Sequence, residues 1–184
     1  MKPELNSFVI VDAEKCTGCR SCEVACAASH RDDNSNFTIG NMDTPIVPRL
    51  FLVKDKEECA TVQCRQCEDA PCAASCPTGA IKNDDGCITM DQAKCISCKT
   101  CTLVCPVGAI GFLPNFESAA VTGGIDRKPK SIAYKCDLCS SIGQEPNCIK
   151  VCPNDALKIA TPEEDVNERR NKAVSDLLEL VKKR

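Results

Sequence analysis

The chain has 184 residues, eighteen of them cysteine, with one tyrosine, five phenylalanines and no tryptophan. So many cysteines beside so few aromatics exclude an ordinary aromatic-centred core and point to a cysteine-organised scaffold. The formal charge of -3 counts every thiol as neutral, and the basic residues are dispersed without a phosphate-tracking stripe, which argues against nucleic-acid binding.

Met1 to Asp12 offers neither a basic start with a long apolar region nor twin arginines. A secreted disulfide framework is therefore not expected, and the expected location is the cytoplasm. No apolar run approaches the roughly 18 residues that a membrane span requires.

Ser7-Phe8-Val9-Ile10-Val11 predicts a short strand that leads through Asp12 to Lys15 into the first motif, Cys16, Cys19, Cys22 and Cys26. Three thiolates two residues apart can each meet a different iron of one iron-sulfur cube, while the fourth reaches a neighbouring cube. In this motif Ala27 stands where the later motifs have proline, which is expected to loosen the exit from the site. Glu23 to Ser29 contains no breaker and predicts a helix.

His30, the only histidine, is either a ligand or tuning group of a cluster or, as a histidine at a helix end more commonly is, a solvated or capping residue. His30 to Thr44 is polar and without period, and predicts a surface excursion. Leu50-Phe51-Leu52-Val53 predicts a second strand before the acidic turn Lys54 to Glu58. Cys59 and, further on, Cys87 stand outside every four-cysteine set. Each is an extra ligand, a redox switch or a small buried hydrophobe, the last being the common fate of an isolated reduced cysteine.

The second and third motifs are Cys64, Cys67, Cys72, Cys76-Pro77 and Cys95, Cys98, Cys101, Cys105-Pro106. Each is followed by a like run, Thr78-Gly79-Ala80-Ile81 and Val107-Gly108-Ala109-Ile110, so the site is an internal repeat. The fourth cysteine is expected to open a short helix, and its proline to force it out of helical geometry. Between the motifs, Ile81 to Met90 predicts a hairpin turning at Asp85-Gly86, with Ile81, Ile88 and Met90 near one face. The lead-in Asp-x-x-Lys-Cys occurs before both Cys16 and Cys95, and Gly18 stands where the later copy has Ser97.

Gly111 to Pro129, with Pro114, Gly123, Gly124 and Pro129, predicts a connecting loop containing one short strand. It has no Gly-x-Gly-x-x-Gly run, so neither a nicotinamide nor a flavin is expected. The fourth motif, Cys136, Cys139, Cys148, Cys152-Pro153, has eight residues between its second and third cysteines, among which Gly143 and Pro146 suit a bulging loop. The long interval also admits a different cluster type.

From Thr161 the chain predicts an amphipathic helix, with Thr161 as N-cap, Pro162 at its first position, and Glu163, Glu164 and Asp165 at its positive end. Val166, Ala173, Val174, Leu177, Leu178 and Val181 recur at helical spacing. This face packs on the chain's own body, docks on a partner subunit or pairs with a second copy of the helix. Asp165 with Arg169, Glu168 with Lys172 and Glu179 with Lys183 are favourable pairs along it.

The spacing alone makes sixteen cysteines candidate ligands of four 4Fe-4S clusters: Cys16, Cys19, Cys22, Cys26, Cys64, Cys67, Cys72, Cys76, Cys95, Cys98, Cys101, Cys105, Cys136, Cys139, Cys148 and Cys152. Loaded with four cubes the chain would carry a charge of about -11. Arg20, Arg65 and Lys99 lie inside the cysteine loops, as cations that raise a cluster potential or as solvated loop residues. No nucleophile-base pair appears, so no catalytic residue is expected. A zinc protein explains CxxC pairs but not four runs with a staggered fourth cysteine. The expected fold class is α+β, with short strands, short helices and long loops.

From Phe8 to Ile159 the four sets resemble the four-cluster ferredoxin subunits of molybdenum or tungsten oxidoreductases and hydrogenase complexes. Cys16-Thr17-Gly18-Cys19-Arg20-Ser21-Cys22-Glu23-Val24-Ala25-Cys26 and Cys64-Arg65-Gln66-Cys67-Glu68-Asp69-Ala70-Pro71-Cys72 are similar to the small electron-transfer subunits of formate dehydrogenase and formate hydrogenlyase systems. The resemblance implies two nested ferredoxin-like units within residues 1–160, an inner one at about 60–112 and an outer one at about 7–30 with 130–160, followed by the helix at 161–184. It implies four ligand sets: Cys16, Cys19, Cys22 with Cys152; Cys136, Cys139, Cys148 with Cys26; Cys64, Cys67, Cys72 with Cys105; and Cys95, Cys98, Cys101 with Cys76. It also implies a non-catalytic relay between a formate dehydrogenase or carbon-dioxide-reducing subunit and a hydrogenase or other acceptor, in company with other ferredoxin-like subunits. A freely diffusing polyferredoxin and a scaffold that assembles redox partners through its terminal helix are the alternatives.

Overall fold

The computed structural model describes residues 6–30, 47–56, 58–84, 86–115 and 130–182. The excursion read at 31–44, the turn residue Asp85 and most of the segment read as a loop at 111–129 lie outside the described residues. Four antiparallel two-stranded sheets carry the strands. β1 (Phe8–Val11) pairs with β8 (Leu157–Ala160), so that Phe8 faces Ala160 and the two ends of the cysteine-bearing body are stitched together. β2 (Leu50–Asp55) and β3 (Glu58–Gln63) form a hairpin in which Leu52 faces Thr61. β4 (Ile81–Asp84) and β5 (Cys87–Met90) form a second hairpin, with Ile81 opposite Met90.

The fourth sheet pairs β6 (Gly111–Asn115) with β7 (Lys130–Tyr134). The expected short strand is thus Gly111–Asn115, and its partner follows the segment that the sequence assigns to a loop. Gly111 is required there: a Cβ at this position would overlap the Tyr134 ring lying opposite.

Five α-helices, α1 (Ser21–Ser29), α2 (Pro71–Ala74), α3 (Thr100–Val104), α4 (Asn147–Lys150) and α5 (Pro162–Lys182), and two 3-10 turns, Gln92–Lys94 and Ser140–Ile142, complete the described chain. Contrary to expectation, the fourth cysteine of a motif does not open a helix. α2, α3 and α4 each contain the third cysteine and stop before Cys76, Cys105 and Cys152. The proline after each of these cysteines disfavours helical geometry in the residue before it, and Cys105 accordingly has ψ 114°. Where Ala27 replaces proline the helix is not stopped: α1 runs on for nine residues, an extended helical exit and not merely a looser one.

Two apolar cores result. One groups Ile81, Ile88, Ile110 and Ala133 with Cys72, Cys95 and Cys101; the other groups Val9, Leu50, Leu52 and Leu157 with Cys22, Cys26 and Cys148. Between them Cys64, Ala109 and Cys136 form a small buried seam. Cysteine sulfur supplies much of the apolar volume that aromatic rings supply elsewhere.

α5 does not pack on this body through its apolar face. Val174, Leu177, Leu178 and Val181 are 54–70 % exposed. Its start follows the expected capping pattern, with the Thr161 hydroxyl accepting from the Glu164 N–H at 3.4 Å. Glu168 meets Lys158 of β8 at 3.5 Å.

Candidate iron-sulfur sites

The cysteine loops share one backbone device. The residue before the second cysteine has positive φ in all four motifs: Gly18 at 70°, Gln66 at 50°, Ser97 at 63° and Leu138 at 56°. Of the nine non-glycine residues with positive φ among the described residues, eight lie in or directly after these motifs, Lys56 being the exception. Each costs about 1–2 kcal/mol relative to ordinary backbone geometry. Strain gathered at equivalent points of four loops has a common cause, since alternating left- and right-handed residues turn successive N–H groups into one concavity that receives an anion, as in many iron-sulfur sites.

The exits repeat as well. Gly79, Gly108 and Asp155, all at positive φ, donate their N–H to the carbonyls of Cys76, Cys105 and Cys152 at 3.2, 3.4 and 3.3 Å. The next N–H then meets sulfur: Ala109 to Cys105 Sγ at 3.4 Å and Ala156 to Cys152 Sγ at 3.2 Å. In the first motif, whose helix continues, the corresponding donor comes from elsewhere, the Arg49 N–H reaching Cys26 Sγ at 3.3 Å.

The thiols gather in four groups. Cys16, Cys19, Cys22 and Cys152 line one cavity with Val11, Leu52 and Thr61. Cys76, Cys95, Cys98 and Cys101 line another with Ile81, Phe112 and Ala133. Burial, followed by the neighbouring Cys64 and Cys105, raises the Cys67 and Cys72 thiols, the latter to about 11. Burial, then Cys26, Cys139 and Cys22, pushes Cys148 up to about 12, while Cys136 is raised by burial, Cys26, Cys148 and Cys64. Cys148 therefore adjoins Cys22 of the first group, and Cys136 adjoins Cys64 of the third. Cys72 shares a core with Cys95 and Cys101 of the fourth, so the groups follow one another through the molecule.

At the rims the balance reverses: hydrogen bonds with Ser21 and Thr100 lower the exposed Cys19 and Cys98 thiols. Burial makes the Cys22, Cys72, Cys101, Cys136 and Cys148 thiols resist ionisation, and a bound metal cation removes that resistance by stabilising the thiolate. Four thiols around an apolar-walled cavity, with N–H groups turned toward sulfur, suit the donor set and the sulfur hydrogen bonding of a 4Fe-4S cube. Among the described residues no three metal-ligating side chains converge as for a single ion. All eighteen cysteines are free thiols.

The loop cations sit at the edges. Arg20 pairs with Glu23 at 3.1 Å, Arg65 lies over the Phe8 ring at 5.3 Å, and Lys99 over Phe112 at 5.7 Å. Cys59 is a buried strand residue, whereas Cys87 is half-buried with its thiol on the Asp137 carbonyl at 3.2 Å. His30 caps α1, its Nδ1 donating to the Cys26 carbonyl at 2.9 Å, but its side chain is buried and not solvated. Its Nε2 meets Asp137 Oδ1 at 3.2 Å, and Arg49 meets Oδ2 at 3.0 Å. Burial alone would lower His30; hydrogen bonds with Asp137, Cys139 and Cys26 outweigh it and raise the imidazole to about 11.

Among the buried polar residues that sequence reasoning did not single out are Gln66, Lys135 and Asp137. Each lies inside or beside a cysteine motif, where polar residues ordinarily read as solvated loop.

Comparison with known proteins gives the family. Residues 94–156 match the 4Fe-4S dicluster domain, and residues 7–28 match a 4Fe-4S binding domain. Electron transport protein HydN of Escherichia coli (strain K12) is 42 % identical over 83 % of this chain and 87 % of its own length. Formate hydrogenlyase subunit 2 of the same strain is 37 % identical over 84 % of this chain and 82 % of its own. The fold and cysteine loops are those of a 4Fe-4S ferredoxin-type protein with mixed helix and strand. The chain belongs to the family of 4Fe-4S electron-transport proteins that includes these two relatives, and it carries electrons through multiple 4Fe-4S clusters without itself transforming a substrate.

Proposed function

We propose that this chain holds four 4Fe-4S clusters on the sixteen motif cysteines, in the four groups just described. It would relay single electrons between a formate dehydrogenase or carbon-dioxide-reducing subunit and a hydrogenase or other acceptor. The observation that carries the reading is the recurrence of one strained loop geometry at all four motifs, with the thiol groups adjoining in sequence. Each cluster supplies reversible one-electron acceptance. The chain's own residues hold the thiols at their separations, aim N–H groups at sulfur and exclude water with Leu52, Ile81 and Leu157. These contacts set relative potentials, and about 59 mV between neighbours is a tenfold bias in electron occupancy.

The two cores support a nested arrangement, with an inner unit at about 60–112 and an outer unit at about 7–30 with 130–160. The likeness to formate hydrogenlyase subunit 2 favours a hydrogenase-linked assembly, and the cytoplasm is the proposed location. Among the described residues no helix is long and apolar enough to cross a membrane. The exposed apolar face of α5 favours a second role, docking to a partner subunit or to a further copy of the chain.

The test is anaerobic purification from the native cell with iron counted per chain and the co-purifying subunits identified. About sixteen irons together with a formate dehydrogenase or hydrogenase subunit is the expected result. Sixteen irons on a solitary chain would point instead to a diffusing polyferredoxin. For the grouping, Cys16→Ser and Cys152→Ser should remove the same EPR signal, and Cys136→Ser a different one.

A further inference from the structure

The inward face of β3 is chemically unusual. Leu50 and Leu52 of β2 turn apolar side chains into the core, but the buried positions of β3 are Cys59, Thr61 and Gln63. Two oxygens on this face, Thr61 Oγ1 and Gln63 Oε1, are buried with no hydrogen-bond partner in the protein. Leaving such groups unsatisfied destabilises a fold, so each calls for an explanation. They differ in what they offer. Gln63 Oε1 only accepts, and its amide nitrogen is already engaged with the Val9 carbonyl at 2.7 Å. The Thr61 hydroxyl has a proton to donate.

Thr61 is 5 % exposed and lines the cavity shared by Cys16, Cys19, Cys22 and Cys152. Leu52, its cross-strand partner, lines it too. β3 is pressed against the first cysteine loop, since a Cβ at Gly18 would stand 3.0 Å from Cys59 Sγ. Its unpartnered hydroxyl thus belongs to a residue that borders the space where an acceptor would sit: the sulfur of a cluster.

We propose that the Thr61 hydroxyl donates a hydrogen bond to sulfur of the cluster held by Cys16, Cys19, Cys22 and Cys152, and so sets that cluster's potential apart from those of the others. The inference rests on the ligand grouping proposed above. A hydrogen bond to sulfur favours the more negative, reduced state, so the bond makes this cluster easier to reduce. Valine at this position would fill the same volume and satisfy the β-strand equally well. Threonine adds only the donor.

The experiment is an EPR-monitored redox titration of the anaerobically purified holoprotein in wild type, Thr61→Val and Thr61→Ser, with iron counted in each. Cys16→Ser identifies which signal belongs to this group. In Thr61→Val, with iron unchanged, that one signal should become about tenfold harder to reduce, a midpoint lowered by about 59 mV. Thr61→Ser should stay near wild type and the other signals should not move. An unmoved midpoint in Thr61→Val, or an equal shift of every signal, overturns the proposal. Should the valine methyl displace the cluster, Thr61→Ala is read by the same criterion. If Cys16→Ser removes no signal, the ligand grouping fails and the hydrogen bond with it. If it removes one signal that Thr61→Val leaves unmoved, the hydrogen bond alone fails.

Discussion

The side chains of Gln66 and Lys135 close on the same two residues. Gln66 Nε2 donates to the Cys136 carbonyl at 3.0 Å while its Oε1 accepts the Ile88 N–H at 2.8 Å. Lys135 Nζ donates to the Cys136 carbonyl at 3.0 Å and also to the Ile88 carbonyl. Gln66 is 1 % exposed and Lys135 2 %. The second motif, the β4–β5 hairpin and the fourth motif are thus joined through one buried polar node, to which Asn6 adds a bond on the Gln66 carbonyl at 2.9 Å.

Gln66→Leu tests the node. It keeps the volume but strips the Ile88 N–H of its partner, while the Cys136 carbonyl retains Lys135. One buried donor left unsatisfied costs about 1–3 kcal/mol. The guanidinium concentration at which visible cluster absorption bleaches under anaerobic conditions should fall accordingly, with absorption before denaturation unchanged. An unaltered midpoint would mean that the node does not hold the motifs together.

Lys135 raises a separate expectation. Its ammonium is buried on neutral carbonyls beside Cys72 and Cys136, which belong to adjoining thiol groups. Among the described residues it meets no carboxylate; a buried cation so placed is costly, and negatively charged clusters beside it would offset the cost. Lys135→Met keeps the length and removes the charge, so the clusters of the Cys64 and Cys136 groups should become harder to reduce. The shift should be on the order of 59 mV or more, a tenfold or greater change in occupancy. EPR redox titration checks this, and equal midpoints in both proteins would refute it.

The cysteine spacing made the four loops readable because thiolate geometry admits few alternatives, but it misplaced the short helices, which hold the third cysteine and not the fourth. β1, β2, the β4–β5 hairpin and α5 were legible from alternation and capping. β7 was not, because Lys130–Tyr134 is five residues long, mixes polar with apolar, and gains its meaning only from pairing with β6 across the chain. β3 escaped for a related reason: Glu58–Gln63 buries cysteine, threonine and glutamine where a strand pattern would place aliphatics. The roles of Gln66, Lys135, Asp137 and Thr61 depend on which backbone groups and cavities surround them. No local pattern encodes that.

The fourth motif contributes an ionic cluster as well as thiols. Asp137 is held between His30 and Arg49, and also accepts the N–H groups of Cys139 and Ser141 at 3.2 and 3.3 Å. Burial alone would raise its carboxyl; the His30 and Ser141 hydrogen bonds and Arg49 outweigh it and hold the carboxyl far below the usual range. Asp137→Asn keeps the shape but leaves His30 and Arg49 without their anion. Breaking a buried pair in this way costs about 3–5 kcal/mol, and the loss falls where Arg49 also supplies the N–H to Cys26 Sγ. The variant should be isolated with about four fewer irons per chain, and the missing EPR signal should be the one that Cys136→Ser removes. A full iron complement would show that the thiols alone suffice to hold the site.

α5 should be separable from the redox body. Its 21 residues extend roughly 31 Å, its apolar side chains from Val174 to Val181 stand in solvent, and its Glu168 meets the body at the exposed Lys158. Surface ion pairs of this kind contribute about 0–1 kcal/mol, so removing residues 161–184 costs the body little. A terminal helix that kept six large aliphatic side chains exposed, Val166, Val174, Leu177, Leu178, Leu180 and Val181, would be poorly matched to water, which favours a partner in the native assembly. The truncated chain should therefore keep its iron content, EPR signals and midpoints while the assembly that co-purifies with it becomes smaller by light scattering. Loss of clusters on truncation would place α5 in the fold of the redox body, and an assembly of unchanged size would remove it from docking.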